Sequence, residues 1–494
     1  MLRPLLALSL ALAQPLIAAD EYPPGPDSKP QPGIAKGTLI KDTYRAASDS
    51  VFPGTEREYT LYLPAAFDPA KPTPYMVFQD GVIYQAPTVF DNLIAKKEIP
   101  PLVGVFIRPG VVPAANDNAL PRFNRSYEYD SVNPSYSQFL IDEFLPAIEA
   151  KHGLKLSTDP NHAAISGNSS GGICAFMAAW HRPDRFRRVF TGVGTYVGIH
   201  GADQLPVLVR KVEPKPLRVF LQSGTGDNNL YCGDWWMANQ MMERSLTWAG
   251  YDVNHAWGEG GHNAKHATQI FPDVMRWLWR DWQTNIEVKA NPKDDSKWKG
   301  YEIIPTGSAW EKVENSLKQP AHHLQVDLSG QITPTANPHP RAVDHTGRKI
   351  ALPEGGNGQS LCLSPDQTLA YISQKNAHFI HSAQISPSGT LQHAQPYYML
   401  ETRDDGTCEA SGMSVDTEGR LYVATALGVQ VCDQAGRVNY ILPTPKQPLD
   451  VCFGGKDLSE LFIACGDTIY KRPTKAKGVI SGQQKPLKPT APKL

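Results

Sequence analysis

The feature that most constrains this chain is the stretch 162–177, which reads His-Ala-Ala-Ile-Ser-Gly-Asn-Ser-Ser-Gly-Gly-Ile-Cys-Ala-Phe-Met. It predicts a short apolar strand, a tight glycine turn and the first turns of a helix. At its centre Gly167-Asn-Ser169-Ser-Gly171 matches the pattern G-x-S-x-G, in which a serine projects from a sharp strand-to-helix turn. Side chains two residues either way would collide with the strand and the helix. Ser169 is therefore the candidate nucleophile, because choosing Ser170 would place Asn168 where the first glycine is needed.

The length, charge and first residues restrict where the protein works. A chain of 494 residues is long enough for two or three domains. The formal net charge of −1 gives no reason to expect a nucleic-acid partner. Residues 1–19 combine a short positive start, an apolar run and a small-residue site before Asp20, which predicts a cleaved secretory signal too short to span a bilayer. We expect a periplasmic or extracellular protein without a membrane span, and the sequence leaves its oligomeric state open.

Cysteine usage argues against a metal or redox centre. The seven cysteines are odd in number and scattered, and none forms a C-x-x-C pair. Most are expected to be buried small apolar residues, with room for one or two disulfides in the C-terminal half. We therefore predict neither a metal site nor a cofactor.

The N-terminal half alternates strands and helices. Apolar strand patterns near 38–40, 58–63, 74–80, 102–107, 189–194, 217–222 and 253–257 are separated by helical patterns such as 137–152 and 235–249. This alternation predicts an α/β domain over 36–283, with a mostly parallel sheet covered by helices on both faces. Before it, the Pro/Gly-rich residues 20–35 predict a flexible arm, and after it the polar residues 284–300 predict a linker.

The C-terminal half predicts a different, all-β architecture. Three related hairpins at 363–372, 414–423 and 453–463 have turns 50 and 41 residues apart (416 − 366 and 457 − 416), which is the period of β-propeller blades. Further hairpin turns are expected at Asp344, Ser386 and Asp433. Residues 301–473 therefore predict a partial β-propeller of three or four blades, and the basic, Pro-rich residues 474–494 predict a disordered tail.

A serine nucleophile needs a base, and the base needs a carboxylate to orient it. Asp227 follows the strand 217–222 in Ser-Gly-Thr-Gly-Asp, and His262 follows the strand 253–257 in Gly-Glu-Gly-Gly-His. The order Ser169, Asp227, His262 is the order used by α/β-hydrolases. Alternatives are Asp234 and Asp252 for the acid, and His255 and His266 for the base.

The oxyanion hole of such a site uses two backbone N–H groups. One is expected from Ser170, which follows the nucleophile, and the other from Val82, in the loop after Asp80-Gly81. One donor of this kind contributes about 10²- to 10³-fold in rate.

Several motifs in the order of the chain resemble the putative-esterase family of α/β-hydrolases, which includes enterochelin and feruloyl esterases. They are Phe78-Gln-Asp-Gly81, Arg125-Ser-Tyr-Glu-Tyr-Asp130, Phe144-Leu-Pro146, the serine turn, and Gly260-Gly-His262. The resemblance covers residues 40–283 and implies ester hydrolysis, but family members differ in substrate. Candidate substrate-binding residues are Tyr84, Glu128, Trp235 and Trp236, of which the aromatic ones could stack on an aryl or sugar group or pack at the edge of the core.

The C-terminal half resembles the regucalcin and gluconolactonase propeller family through Ser364-Pro-Asp366, Gly412-Met-Ser-Val-Asp416 and Cys452-Phe-Gly-Gly455. That family holds one divalent metal through a Glu, an Asn and an Asp. Here the Asn position falls at Gln359, or at Asn357 with a gap, and the Asp position at Ser411. The Glu position has no fixed register, although Glu311 and Glu314 lie in the region. A hard cation needs carboxylate oxygens, so we expect a degenerate or accessory domain.

Together these features predict a secreted serine carboxylesterase acting on a small-molecule or polysaccharide ester, of the feruloyl, acetyl or siderophore type. One rival is a metal-dependent sugar lactonase in the propeller. Another is a carbohydrate-binding protein with an inactive esterase half.

Overall fold

The structure is a computed structural model that describes residues 21–288, 298–313, 322–335, 343–350, 360–374 and 377–491. The predicted signal 1–19, most of the linker and Glu314, Asn357 and Gln359 lie outside the described residues. In the described part, no helix is long and apolar enough to cross a membrane.

A ten-stranded sheet organises the N-terminal half. Its central strands pair in parallel in the order β12-β9-β8-β7-β3-β4. The next strand, β2, is antiparallel to β4 and also pairs with β1 and with β5, and β5 in turn pairs with β6. The central strands are apolar on both faces, as expected for a sheet covered on both sides. The strands are β1 Thr38–Arg45, β2 Glu56–Leu63, β3 Tyr75–Gln79, β4 Val103–Ile107, β5 Val111–Val112, β6 Arg122–Phe123, β7 Ala163–Asn168, β8 Arg188–Gly192, β9 Arg218–Gly226 and β12 Asp252–Gly261, and a separate two-stranded hairpin contains β10 Asn229–Leu230 and β11 Gly233–Asp234.

Helices cover the two faces of this sheet. The helical segment predicted over 137–152 is continuous over 135–152 and contains a π-helical turn, Phe139–Phe144, between α3 and α4. The helix predicted over 235–249 has those bounds, because Asp234 caps its start and Gly250, with φ of 90°, ends it. The helices are α1 Ala86–Ala95, α2 Arg125–Tyr129, α3 Ser135–Gln138, α4 Leu145–His152, α5 Ser170–His181, α6 Leu205–Lys211, α7 Trp235–Ala249 and α8 Lys265–Trp279.

The C-terminal half consists of antiparallel sheets, consistent with a partial β-propeller. The described residues contain a four-stranded sheet β16–β19, a five-stranded sheet of β20–β23 with β27, a four-stranded sheet of β24–β26 with β13, and the hairpin β14–β15. The predicted fold class is thus confirmed for both halves. The strands are β13 Glu311–Lys312, β14 His323–Val326, β15 Ile332–Thr335, β16 Leu361–Leu363, β17 Leu369–Ile372, β18 Phe379–Ile385, β19 Leu391–Met399, β20 Met413–Asp416, β21 Leu421–Thr425, β22 Gly428–Cys432, β23 Val438–Leu442, β24 Asp450–Gly454, β25 Glu460–Cys465, β26 Thr468–Pro473 and β27 Gly478–Val479.

The two halves pack against each other. One hydrophobic core contains residues of both, including Val209 and Val212 of the α/β half and Ile441 of the β half. The backbone N–H of Glu213 donates to the carbonyl of Ile441 at 3.0 Å. Arg472 of β26 forms a bidentate ion pair with Glu213, with N–O distances of 2.6 and 2.7 Å. The prediction of a polar linker up to residue 300 is wrong at its end, because Trp298 is fully buried and its indole N–H donates to the Lys211 carbonyl.

The N-terminal arm is attached to the α/β domain, contrary to the expectation that residues 20–35 are flexible. Asp27 forms ion pairs with Lys96, which directly follows α1, and with Arg276 of α8. The Tyr22 ring stacks on His266, with ring centroids 4.4 Å apart. The proline-rich composition predicted a flexible arm, but the side chains of Asp27 and Tyr22 bind it to the α/β domain.

The expected disordered tail is also wrong for residues 474–491. Gly478–Val479 forms β27, which pairs with β20. Further along, the Leu487 N–H donates to the carbonyl of Pro365 at 2.9 Å. The basic composition of this segment reflects its exposed side chains, while its backbone completes the sheets of the β half.

The described residues contain none of the one or two disulfides that the sequence allowed in the C-terminal half. All seven cysteines are free thiols, and five of them are buried. Burial raises the pKa of the Cys174, Cys432 and Cys452 thiols, which keeps them protonated. They act as small apolar side chains in the core.

Candidate active site

Ser169 lies at the sharp turn between β7 and α5. Its backbone has φ of 58° and ψ of −122°, a strained conformation for a residue with a side chain. A Cβ at Gly167 would lie 2.2 Å from the Gly171 carbonyl oxygen, and a Cβ at Gly171 would lie 2.9 Å from Cβ of Gln79. Both glycines of the motif are therefore required by close backbone approach, as the sequence predicts.

The three predicted catalytic side chains form one hydrogen-bonded chain. His262 Nε2 lies 2.7 Å from Ser169 Oγ, and His262 Nδ1 lies 2.6 Å from Asp227 Oδ1. The carboxylate is buried and the imidazole is partly accessible. This arrangement can remove a proton from the serine hydroxyl while the carboxylate fixes the imidazole tautomer.

The orientation of Asp227 is set by its neighbours. Ser223 Oγ donates to Asp227 Oδ2 at 2.7 Å, and the Asn228 N–H donates to Oδ1 at 2.8 Å. These bonds leave Oδ1 directed at the imidazole. Ser223 and Asn228 were not singled out from the sequence, although Ser223 lies four residues before Asp227 on β9 and Asn228 directly follows it.

The alternatives to Asp227 and His262 have other roles. Asp234 caps α7 by accepting from the Met237 N–H, and Asp252 pairs with Arg218 and Arg280. His255 stacks on Trp257. His266 packs between the arm and Gln222, where burial lowers its pKa.

The glycines before Asp227 and His262 lie in strands, not in loops as expected. β9 extends to Gly226 and β12 to Gly261, with an irregularity in their pairing between Gly258 and Gly261. A Cβ at Gly224 would lie 2.3 Å from the Gly260 carbonyl oxygen. The glycines therefore allow the two strand ends to approach closely, which brings the acid and the base together.

Ser170 and Val82 remain the predicted oxyanion donors. Ser170 is the first residue of α5, so its N–H is one of the helix donors without an intrahelical acceptor. Val82 follows Asp80 and Gly81, both with positive φ, and is 48% exposed. Among the described residues, neither N–H donates to another backbone or side-chain group.

Thr195 and Trp235 complete the surroundings of the serine. Thr195 Oγ1 lies 3.4 Å from Ser169 Oγ and accepts from Trp235 Nε1 at 3.2 Å. The Trp235 ring meets the His262 ring edge-on, with centroids 5.6 Å apart. Trp235 is buried against the triad, as an aromatic wall. Sequence reasoning missed Thr195, which no motif marks.

An ion pair supports the loop that carries Val82. Arg125 donates from Nε and Nη2 to the two oxygens of Asp80, at 2.7 and 2.8 Å. Asp80 has φ of 65°, so the loop backbone is strained at this point. The pair raises the pKa of Arg125, which remains charged. Both residues fall in the motifs quoted above, but their pairing was not predicted.

Three predicted substrate-binding residues have other contacts. Tyr84 is 3% exposed and packs on Phe190 and Phe271 beneath the serine turn, so it does not line a mouth. Glu128 is fully buried in a bidentate pair with Arg57, at 2.9 and 3.1 Å, which leaves it unavailable to a substrate. Trp236 is half-buried and packs edge-on against Trp257.

The described residues do not fit the metal of the propeller family. Ser411 has no carboxylate, and its hydroxyl donates to the Ala424 carbonyl at 3.3 Å. Glu311 is exposed on β13. Within the described ranges, no group of three or more His, Cys, Asp or Glu side chains could hold a metal ion.

Comparison with known families follows this division of the chain. Residues 50–295 match the family described as "Putative esterase". This match covers 246 of the 494 residues, just under half of the chain. Residues 346–466 match the family described as "SMP-30/Gluconolactonase/LRE-like region". Both resemblances seen in the sequence are thereby confirmed.

Curated relatives fall into the same two groups. The esterase-family region is similar to an iron(III) enterobactin esterase of Dickeya dadantii, with 28% identity over 242 residues, 45% of this chain and 52% of the relative. A match to regucalcin of Danio rerio has 38% identity over 206 residues, 39% of this chain and 63% of the relative. The chain thus spans about half the length of the enterobactin esterase that it matches.

A solved structure of a ferulic acid esterase from Anaeromyces mucronatus is also similar to the chain. It has 18% identity, covers 52% of this chain and 96% of its own, and has a TM-score of 0.38.

Proposed function

We propose that this protein is a secreted serine carboxylesterase that hydrolyses its substrate through an acyl-enzyme. The observation that carries the proposal is the hydrogen-bonded chain Ser169–His262–Asp227, with the serine on a strained turn. The match of residues 50–295 to the esterase family supports the class of reaction. The predicted signal at residues 1–19 supports a periplasmic or extracellular location.

The first half of the reaction forms the acyl-enzyme. His262 Nε2 takes the proton of the Ser169 hydroxyl as Oγ attacks the ester carbonyl. The N–H groups of Ser170 and Val82 are free to stabilise the oxyanion of the tetrahedral intermediate. When this intermediate collapses, the protonated imidazole gives its proton to the leaving alcohol, and the acyl group remains on Ser169.

The second half returns the enzyme to its starting state. Water attacks the acyl carbon and gives a proton to His262, and the carboxylic acid leaves as the imidazole reprotonates Ser169 Oγ. Asp227 keeps its charge throughout and stabilises the imidazolium. Trp235 lies against the imidazole and restricts its rotation.

The family and the relatives suggest two classes of substrate. One class is a feruloyl or acetyl ester on a polysaccharide, and the other is a siderophore-type ester. Methyl ferulate, acetylated xylan and a catecholate trilactone assayed side by side would separate them. The preferred substrate should show the highest kcat/KM.

The decisive test compares the full chain with its Ser169→Ala variant. We expect the wild type to hydrolyse p-nitrophenyl acetate and to be labelled by a fluorophosphonate. In the variant, labelling should disappear and kcat should fall by about 10⁴- to 10⁶-fold. Hydrolysis that survives in the variant and is abolished by EDTA would instead support the lactonase rival. An inert wild type would support the carbohydrate-binding rival.

A further inference from the structure

A cavity of about 320 Å³ lies in the β half, apart from the triad. Its floor is one face of the sheet β16–β19, and its walls are turns of the adjacent sheet β20–β23 and the C-terminal segment. The volume is at the lower end of the range for small-molecule sites, about 300–1,000 Å³. The residues that line it include Tyr371, Ser382, Gln384, His393, Gln395 and Tyr397.

The polar character of this floor is unusual for the contact between two sheets. The contact between the sheets β20–β23 and β24–β26 is apolar, with Val429 and Val431 packed in one cluster with Leu461 and Ile463. By contrast, the cavity floor presents Ser382 and Gln395 as cross-strand neighbours. Gln384, His393 and Gln395 are exposed, so solvent rather than the neighbouring sheet reaches this floor.

The polar groups of the floor lack hydrogen-bond partners within the described part of the chain. Among the described residues, the side chains of Ser382, Gln384, His393 and Gln395 make no hydrogen bond. All four line the cavity, where Ser382 is 8% exposed and the other three are exposed to solvent. Unpaired amides and hydroxyls that converge on one cavity are the usual means of fixing a small ligand.

The backbone of the cavity floor contains a β-bulge. The register of β18 and β19 shifts between the pairs Ser382–Gln395 and Gln384–Gln392, which is a β-bulge. His393 lies in this bulge with φ of 53°. Bulges re-aim side chains and are frequent beside functional sites. His393 is therefore a residue with a strained backbone whose side chain lines the cavity.

The C-terminal segment forms one wall of the cavity. Gln434 Nε2 donates to the Thr490 carbonyl at 2.6 Å, and Pro489 lines the cavity. The Tyr397 hydroxyl donates to the Gln434 carbonyl at 3.2 Å, so its ring is fixed beside this wall. The segment predicted as a loose tail thus helps to enclose the space.

The lining indicates the chemistry of a ligand. No Lys or Arg is among the described residues that line the cavity, which disfavours an anion. Asp366, the one carboxylate among the described lining residues, accepts at Oδ1 from the Ser364 hydroxyl and from the N–H and hydroxyl of Thr368. Glutamine amides both donate to and accept from hydroxyls, and tyrosine offers an apolar ring face with a polar tip. We propose that this cavity binds one ring of a neutral carbohydrate.

The test measures sugar binding to the full-length chain by saturation-transfer NMR and calorimetry. The probes are glucose, galactose, xylose and glucuronate. At least one neutral sugar should bind with Kd on the order of 1 mM, a value accessible to both methods, and glucuronate should bind more weakly than glucose. Absence of binding by every neutral probe would overturn the proposal, and equal binding of glucuronate would overturn the neutral-ligand assignment.

Two variants and a matched control locate the binding. Gln395→Ala and Tyr397→Ala should each weaken the preferred sugar by about 5- to 10-fold. Gln392→Ala, on the same strand but outside the lining, should leave Kd unchanged. Equal Kd in all three proteins would place the sugar elsewhere and refute the proposal. Hydrolysis of p-nitrophenyl acetate should be the same in all three, so this result is independent of the proposed esterase.

Discussion

At the scale of single residues, Asp227 is the member of the triad most fully held by the protein. Ser223 donates to its Oδ2, and Asn228 donates to Oδ1, the oxygen that also faces His262. An amide at position 227 would present a donor or a neutral acceptor to His262 and would favour the wrong tautomer. We therefore expect Asp227→Asn to lower kcat by about 10⁴-fold with little change in KM.

The matched control for this prediction is Asp234→Asn. Asn caps a helix as well as Asp does, so α7 should be retained and kcat should stay within about twofold of wild type. Steady-state kinetics on both variants decide between the two aspartates. Loss of activity in Asp234→Asn alone would transfer the acid role to that residue.

His181 gives a pH dependence to stability that is independent of catalysis. Burial lowers the pKa of this histidine to about 4, and the nearby Lys215 contributes in the same direction. The ring bonds to the Val132 carbonyl at 2.9 Å. Between pH 6.5 and 4 the unfolded chain binds a proton here and the folded chain does not, so the free energy of unfolding decreases as pH falls.

Replacing His181 should reduce the dependence of the free energy of unfolding on pH. His181→Gln keeps a side-chain donor for the Val132 carbonyl and removes the titration. We expect its loss of stability between pH 7 and pH 4.5 to be smaller than that of the wild type, by about 2 kcal/mol. His200→Gln, at an exposed position, should follow the wild type. Denaturant melts at both pH values measure the difference.

At the scale of elements, the sequence predicted those turns and hairpins whose structure is determined by residues close together in the chain. The serine turn could be predicted because its glycines and its strand and helix are contiguous in sequence. The hairpins of the β half could be predicted because several of their turns share one sequence pattern. In the turns at Asp344, Asp416 and Asp433, the aspartate carboxylate accepts from the backbone N–H groups two and four residues on.

Long-range partners could not be predicted in the same way. Glu128 is polar and lies in a motif, but its role depends on Arg57, which is 71 residues away in sequence. Tyr84 reads as an exposed aromatic until β8 and α8 cover it. The order of Ser169, Asp227 and His262 was predictable because parallel strands end at the same sheet edge, whereas Thr195 carries no such signal.

The arm is the element whose contact with the site was least expected. The Tyr22 hydroxyl accepts from the N–H groups of Glu259 and Gly260, at 2.9 and 3.1 Å. Glu259 precedes His262 by three positions and Gly260 by two. Tyr22 is therefore a positioning residue for the end of β12.

Tyr22→Phe removes this acceptor and keeps the ring that stacks on His266. We expect kcat to fall by up to about 10²-fold through displacement of the imidazole, with KM nearly unchanged and the pH profile of kcat retained. Tyr127→Phe, whose ring is largely exposed, is the control and should match the wild type. An unchanged kcat in Tyr22→Phe would limit the arm to a structural role.

At the scale of the whole molecule, the two halves share one hydrophobic core. Their shared core and the Glu213–Arg472 pair join β26 to the segment that follows α6. Arg472 is only 2% exposed in its side chain and also donates to the Ser308 carbonyl. A buried guanidinium left without its carboxylate is costly, since desolvation is no longer offset.

Glu213→Gln should therefore destabilise the protein by about 3–5 kcal/mol, although it changes neither the triad nor the cavity. Asp467→Asn removes a partner from the exposed Lys446–Asp467 pair and should cost less than about 1 kcal/mol. Because the halves share a core, tryptophan fluorescence and loss of p-nitrophenyl acetate hydrolysis should follow the same denaturation curve in each protein. Separate transitions for the two signals would mean that the α/β half folds independently of the sheets packed on it.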